Sequence, residues 1–147
     1  MYKYDVYCAG PWFTRQQEEN NEHIISLVKK FNLKAFCPRY DAGELKQDPN
    51  KKLTLDVAKN LFAADISGLD DSETIIADIS TRDSGTLIEV GYMYCLHKKI
   101  ILFDNGTSPK ANIMLAGLAS SYVRNFVELE DVLNGEVVFD LGEKELE

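Results

Sequence analysis

Apolar and polar residues alternate along the chain in blocks that predict strands and helices in turn. Short apolar runs bounded by turn residues are typical of buried strands, and apolar residues three or four positions apart are typical of amphipathic helices. The predicted strands are residues 3–8, 34–38, 74–79, 99–103 and 124–128. The predicted helices are residues 14–32, 51–64, 84–96 and 112–120.

Local signals set the expected ends of these elements. Thr14 and Gln17 have the spacing of a capping box, which predicts the start of the first helix. Residues 65–68 (DISG) are expected to end the second helix, since glycine is common just past a helix end. Residues 39–50 are polar and contain glycine and proline, so they predict a loop that is long enough to serve as a lid or a binding loop.

Strands that alternate with helices predict an α/β fold, with a mostly parallel five-stranded sheet covered by helices on both faces. Residues 1–147 are expected to form a single domain. In such sheets a ligand binds beyond the carboxyl ends of the strands. The predicted loops at those ends begin at Ala9, Arg39, Ser80 and Asp104.

Composition narrows the possible partners. The 147 residues are 45% hydrophobic and 27% charged, with a net charge of −8 and no cluster of Lys or Arg. Binding of a nucleic acid polymer is therefore not expected. No apolar run approaches the roughly 20 residues that a membrane helix needs. The N-terminal residues 1–10 lack the features of a signal peptide, so a cytoplasmic protein is expected.

The cysteines and histidines do not predict a metal site. No CxxC spacing occurs among the three cysteines, and both histidines lie far from them in the sequence. Cys8 and Cys37 end predicted strands, where cysteine usually acts as a small buried hydrophobic residue. No glycine-rich dinucleotide or Walker motif is present.

Residues 7–13 (YCAGPWF) form the first candidate segment. Gly10 follows a strand, where the absence of a side chain lets a ligand approach the backbone. Trp12 and Phe13 offer flat apolar surfaces on which a base or a sugar could stack. The alternative is a tight turn followed by two core aromatic residues.

Residues 83–92 (DSGTLIEVGY) form the second candidate segment, and Glu89 is its central residue. A carboxylate in the first turns of a helix is favoured in its ionised form, as a nucleophile requires. Asp83 would supply a second acid, which suits cleavage at an anomeric carbon, and Gly85 would allow close approach to the loop. The alternative is that Thr86 and Glu89 form a capping box.

Two further residues are candidates only when they are considered together with these two segments. Asp65 alone is typical of a turn residue, and Asn112 alone is typical of a helix start.

Taken together, these segments resemble the nucleoside 2-deoxyribosyltransferase family. The resemblance rests on Tyr7 with residues 9–14 (AGPWFT), and on residues 60–68 (NLFAADISG), 83–92 and 99–114. It implies a flavodoxin-like three-layer fold and transfer of a 2-deoxyribosyl group between nucleobases. The implied partners are small 2′-deoxynucleosides and free nucleobases, with neither a metal nor an organic cofactor.

The resemblance also implies a role for each candidate residue. Glu89 would attack C1′, and Tyr7 would orient its carboxylate. Asp65 and Asp83 would bind the base and handle its proton, while Asn112 would hold the hydroxyl end of the sugar. Family members are homo-oligomers in which neighbouring subunits complete each pocket.

The sequence departs from the family pattern in two places. Residues 140–147 lack the aromatic end that reaches a neighbouring site, and residues 40–46 lack the amide that contacts the base, for which Asp41 or Glu44 could substitute. Two other functions remain open. One is an N-glycoside hydrolase, for which Ser84, Gly85 and Ser108 could bind a 5′ phosphate, and the other is a binding module without catalysis.

Overall fold

The structure is a computed structural model that describes residues 1–42 and 53–147. Its strands are β1 (Tyr4–Ala9), β2 (Ala35–Phe36), β3 (Ser72–Asp78), β4 (Lys99–Phe103), β5 (Lys110–Ala111), β6 (Ser121–Val123) and β7 (Glu145–Leu146). Its helices are α1 (Arg15–Lys30), α2 (Pro38–Asp41), α3 (Leu55–Asp70), α4 (Ser84–Cys95), α5 (Ile113–Leu118) and α6 (Phe126–Leu133).

The main sheet has five parallel strands in the order β2-β1-β3-β4-β6. This confirms the predicted α/β class and the five-stranded sheet. The chain builds outward from β1 to β2 and then crosses to β3 on the other side. The carboxyl ends of β1 and β3 therefore flank the point where strand order reverses, where α/β proteins bind their ligands. Strands β5 and β7 pair separately.

Two hydrophobic cores lie on opposite faces of this sheet and give three layers. Helices α1 and α6 cover one face, and α3, α4 and α5 cover the other. Side chains alternate between the faces along β1, because successive residues of a strand point in opposite directions. Val6 and Cys8 face α1, whereas Tyr7 and Ala9 face the helices of the other layer.

Several predicted ends are confirmed. Thr14 is the N-cap of α1, where its Oγ1 accepts from the Gln17 N–H at 3.2 Å and the Gln17 side chain accepts from the Thr14 N–H at 3.0 Å. The strand at residues 99–103 has the predicted bounds. Asp83 caps α4, which begins at Ser84 as expected.

The prediction that residues 65–68 end the second helix is wrong. Helix α3 continues to Asp70, so Asp65 lies inside a helix and is not a turn residue. Gly68 is buried within α3, where a Cβ atom would lie 2.5 Å from Cε1 of Phe36. The glycine therefore allows close packing of the helix on the sheet.

The predicted fifth strand is also misplaced. The strand is β6, and residues 124–128 instead lead into α6. Asn125 is the N-cap of this helix, because its Oδ1 accepts from the Glu128 N–H at 2.8 Å and its Nδ2 donates to Glu128 Oε1 at 3.1 Å. This reciprocal pair resembles a capping box and stops the chain from extending the strand.

The predicted loop at residues 39–50 opens with one short helix, α2, which has Pro38 in its first turn. Glu44 and residues 43–52 lie outside the described residues, and α3 begins only at Leu55, after the N-cap Thr54. Cys8 and Cys37 are buried, as predicted. None of the helices in the described ranges is long and apolar enough to cross a membrane.

Candidate active site

A cavity of about 710 Å³ opens at the carboxyl ends of β1 and β2 and reaches α3 and α4. Six predicted site residues line it: Gly10, Trp12, Phe13, Asp65, Asp83 and Glu89. The lining also includes Pro11, Glu18, Pro38, Arg39 and Tyr40. The structure thus brings together residues from four separate segments of the chain.

Tyr7 and Glu89 form a buried polar contact at this site. Tyr7 is fully buried in β1, and its hydroxyl donates a hydrogen bond to Glu89 Oε2 from α4. Burial, followed by the charge of Glu89, raises the pKa of the Tyr7 phenol far above its usual range. The phenol therefore remains a hydrogen-bond donor, and it fixes one carboxylate oxygen.

Burial also governs the protonation of Glu89. It raises the pKa of this carboxyl from 4.5 to about 7, although the Tyr7 hydrogen bond opposes the shift and the charges of Asp65 and Asp83 add to it. The expectation that the helix end favours ionised Glu89 is wrong. Glu89 is the sixth residue of α4, beyond the first turn where the N–H groups are free, so desolvation has the larger effect.

The capping alternative for Glu89 does not hold in the structure. The N-cap of α4 is Asp83, whose Oδ2 accepts from the Thr86 N–H and from the Thr86 hydroxyl, both at 3.0 Å. Thr86 is inside the helix and does not cap it. Asp83 uses a single oxygen for both bonds, while its side chain also lines the cavity.

Asp65 projects from α3 into the same cavity. Its Oδ1 is buried and has no hydrogen-bond partner within residues 1–42 and 53–147. Burial raises the pKa of this carboxyl from 3.8 to about 6. An unpartnered buried polar atom is costly in a folded protein, so it indicates a group that binds a ligand or exchanges a proton.

Arg39 and Tyr40 form a wall of the cavity, and neither is among the predicted site residues. The Arg39 guanidinium lies over the Trp12 ring at 4.5 Å, and the Tyr40 ring meets Trp12 edge-on at 5.8 Å. One face of Trp12 is thus occupied by Arg39, which limits the predicted stacking of a base there. The sequence does contain a local signal for these two residues, because Pro38 starts a helix directly after β2, at a carboxyl end of the sheet.

The other N-terminal candidates have distinct surroundings. A Cβ atom at Gly10 would collide with the side chain of Asn21, whose Nδ2 donates to the carbonyl of Pro11 at 2.7 Å. Gly10 is therefore needed for packing of the turn on α1. Phe13 is 77% exposed and lies at the mouth of the cavity.

Gly85 and Asn112 do not line the cavity that contains Glu89. Gly85 is exposed in the first turn of α4. Asn112 caps α5, accepting from the N–H groups of Met114 at 2.9 Å and Leu115 at 3.2 Å. It lines a second cavity of about 580 Å³, together with Arg82, Lys110 and Glu147.

Comparison with known sequences gives one family and one relative. Residues 6–131 match the family described as Nucleoside 2-deoxyribosyltransferase. An uncharacterized protein of Ureaplasma parvum serovar 3 is 28% identical over 148 residues, which span 90% of this chain and 93% of the relative.

Solved structures of several proteins share the fold. A 2-deoxyribosyltransferase from Bacillus psychrosaccharolyticus has a TM-score of 0.77 at 19% identity, covering 93% of this chain and 99% of that one. A CMP N-glycosidase from Clostridium botulinum has a TM-score of 0.58 at 19% identity, covering 88% and 97% of the two chains. A conserved protein from Enterococcus faecalis V583 has a TM-score of 0.58 at 18% identity, covering 98% and 81%.

Proposed function

The chain belongs to the nucleoside 2-deoxyribosyltransferase family, and we propose that it transfers the 2-deoxyribosyl group of a 2′-deoxynucleoside from one nucleobase to another. The observation that carries the proposal is the convergence of Glu89, Asp65 and Asp83 on one cavity, with Tyr7 hydrogen-bonded to Glu89. Two or more carboxyl groups with different surroundings suit cleavage of a bond at an anomeric carbon.

The proposed reaction has two displacements at C1′. A Glu89 oxygen forms a bond to C1′ as the N-glycosidic bond breaks, and the bonding pair leaves with the base. An acid in the cavity donates a proton to that base. A nitrogen of the incoming base then attacks C1′, its proton returns to the acid, and Glu89 leaves as a carboxylate.

The surroundings of the two acids support this division of roles. Asp65, with a pKa of about 6, carries no hydrogen bond on its buried Oδ1 and is available to exchange a proton with a base. Glu89 has one oxygen fixed by Tyr7, which leaves the other to attack C1′. Asp83 is held at the cavity edge by the hydrogen bond with which it caps α4, and there it supports binding of the base.

The charges of the cavity favour an unphosphorylated substrate. Among the described residues that line it, the charged side chains are Glu18, Asp65, Asp83, Glu89 and Arg39. Arg39 already pairs with Glu18 at 3.4 Å. A 5′ phosphate would enter a cavity in which carboxylates outnumber the one guanidinium, so like charges would oppose its binding.

Asn112 keeps its proposed role only if a second copy brings it to the cavity. We therefore include in the proposal a homo-oligomer in which α5 of one copy faces the Glu89 cavity of another. The exposed apolar side chains beside Asn112, Ile113 at 57% and Met114 at 74%, support burial of this helix end.

The decisive experiment is base exchange with deoxyinosine as donor and adenine as acceptor. We expect Glu89→Gln and Glu89→Ala to lower the exchange rate by about 10³-fold or more, since both remove the nucleophile. Glu19→Gln, an exposed change on α1, is the matched control and should retain normal exchange. Normal exchange by Glu89→Ala would refute the assignment.

A second candidate is hydrolysis of the N-glycosidic bond, which the structural similarity to a CMP N-glycosidase supports. Water would then replace the acceptor base. Omitting adenine, and separately replacing deoxyinosine with its 5′-monophosphate, distinguishes the two. Free sugar released equally fast with and without adenine favours the hydrolase, and preference for the monophosphate contradicts the charge argument.

A further inference from the structure

Phe36 lies between Tyr7, which is hydrogen-bonded to Glu89, and helix α3, which carries Asp65. It pairs in register with Tyr7 on the neighbouring strand, and the two rings stack with centroids 5.4 Å apart and planes 17° apart. The Tyr4 ring packs against Phe36 edge-on at 5.2 Å. Phe36 is only 5% exposed, so its ring is held on these sides.

The remaining side of the Phe36 ring touches the backbone of α3 at Gly68. A Cβ atom on Gly68 would lie 2.5 Å from Cε1 and 2.7 Å from both Cδ1 and Cζ. Ordinary carbon contacts begin at about 3.5 Å. Helix α3 therefore approaches the sheet closer than any residue other than glycine would permit at this position.

Two of the neighbours of Phe36, Tyr7 and helix α3, are connected to acids of the proposed site. The Tyr7 hydroxyl donates a hydrogen bond to Glu89, and Asp65 stands one helical turn before Gly68. Residues three apart lie on the same face of a helix, so the depth at which Gly68 packs also sets the depth of Asp65. The contact between α3 and Phe36 thus links the position of one acid to that of the other.

We propose that Phe36 and Gly68 are positioning residues that fix Asp65 of α3 relative to the Tyr7–Glu89 hydrogen bond. Neither side chain lines the cavity, so both act through their neighbours. A methyl group at position 68 moves α3 away from the sheet or pushes Phe36 against Tyr7, by about 1 Å. Such a displacement changes the spacing and the burial of the two carboxyl groups.

The first test measures enzymatic turnover, so it rests on the proposed base exchange. We expect Gly68→Ala to lower kcat by about 10- to 100-fold with little change in KM, because a 1 Å displacement of reacting groups has effects of that size. The limbs of its pH profile should also shift. Ser67→Ala is the matched control: it also places an alanine on α3, next to Gly68, but at an exposed position, and its activity should equal that of the wild type.

Two further variants separate positioning from a loss of folding. Phe36→Leu/Gly68→Ala removes the ring that meets the new methyl group and should be more active than Gly68→Ala alone. Phe36→Leu alone leaves an empty space beside Gly68, so it should also shift the pH profile. Thermal unfolding of each variant gives the folded fraction used to normalise kcat.

Carbon-13 NMR titration of the Asp65 and Glu89 carboxyl groups gives a readout that does not need turnover. The proposal predicts changed pKa values in Gly68→Ala and values nearer to the wild type in the double variant. Unchanged titrations in Gly68→Ala and Phe36→Leu, or a double variant no more active than Gly68→Ala, would overturn it. Absence of base exchange in the wild type would instead refute the proposed function, and the titration would still decide the positioning role.

Discussion

Glu89 and Asp65 place two carboxyl groups with raised pKa values, about 7 and about 6, in one cavity. The proposed reaction needs ionised Glu89 together with a protonated acid. Below about pH 6 both groups are protonated and Glu89 cannot attack, and above about pH 7 both are ionised and no proton is available. Between these values the single proton resides mostly on Glu89, so the active form, with Glu89 ionised and Asp65 protonated, is a minor form whose share is largest there. We expect kcat/KM to rise and fall around a maximum between about pH 6 and pH 7 when it is measured from about pH 4.5 to pH 9.

A variant assigns the descending limb of that profile. Asp65→Asn removes the proton donor while keeping the shape of the side chain, so it should lower the rate and remove the descending limb. Since the two acids interact, the observed limbs belong to the pair and both will move. A profile that remains flat across this pH range in the wild type would contradict the proposed roles.

Tyr7 contributes one hydrogen bond to Glu89, and Tyr7→Phe removes only that hydroxyl. The bond lowers the pKa of Glu89, so its loss should raise that pKa above 7. Glu89 then holds the shared proton to higher pH, so the descending limb of the profile should move to higher pH. We expect kcat to fall by about 10-fold or more. A descending limb that stays in place in Tyr7→Phe would show that the hydrogen bond does not tune Glu89.

At the scale of elements, Asn112 has two roles: it caps α5, and it is proposed to contact the substrate. Its Oδ1 accepts from two N–H groups at the start of α5, so Asn112→Ala should cost about 1 kcal/mol of folding free energy through the cap alone. Asn112→Ser retains a capping oxygen but lacks the amide. If Asn112 holds the sugar of a neighbouring copy, Asn112→Ser should fold normally and lose base exchange, as activity and urea unfolding will show. Normal exchange by Asn112→Ser would leave only the capping role.

The elements also show what a sequence can and cannot predict. The start of α1 and the bounds of β4 were predicted because their signals, a capping box and an apolar run, lie within the element. The predicted end of α3 was wrong because local rules treat Gly68 as a helix-ending residue. In the structure this glycine instead lies inside α3, where it allows close contact with Phe36 from another strand. The raised pKa of Glu89 was missed for a similar reason, since burial depends on the whole fold and helix position does not reveal it.

At the scale of the whole molecule, the parallel sheet explains why distant residues meet. The order β2-β1-β3 places the carboxyl ends of β1 and β2 side by side, so the segments of Gly10 and Arg39 face each other across one cavity. Helices α3 and α4 pack on one face of the sheet and bring Asp65 and Glu89 to the side of β1 that carries Tyr7. The resemblance of short segments therefore predicted six residues that line the cavity, whereas Arg39 and Tyr40 reach it from the segment after β2, whose local signal is Pro38.

A buried acid at the proposed site should also lower the stability of the folded protein. The pKa of Glu89 is about 7 when folded and is expected near the ordinary 4.5 when unfolded. A raised folded pKa gives stability that is complete below the unfolded value and is lost as pH rises through the folded value. Glu89→Gln stays neutral, so we expect it to match the wild type near pH 4.5 and to exceed its unfolding free energy by about 1–3 kcal/mol at pH 8.

Urea unfolding of both proteins at about pH 4.5 and pH 8 measures this difference. Glu19→Gln provides the control, because Glu19 lies exposed on α1 and its replacement should give the same small change at both pH values. A Glu89→Gln variant that loses base exchange while gaining stability only at high pH would tie the two properties to one carboxyl group. An equal stability difference at both pH values would show that the proton affinity of Glu89 does not change on folding.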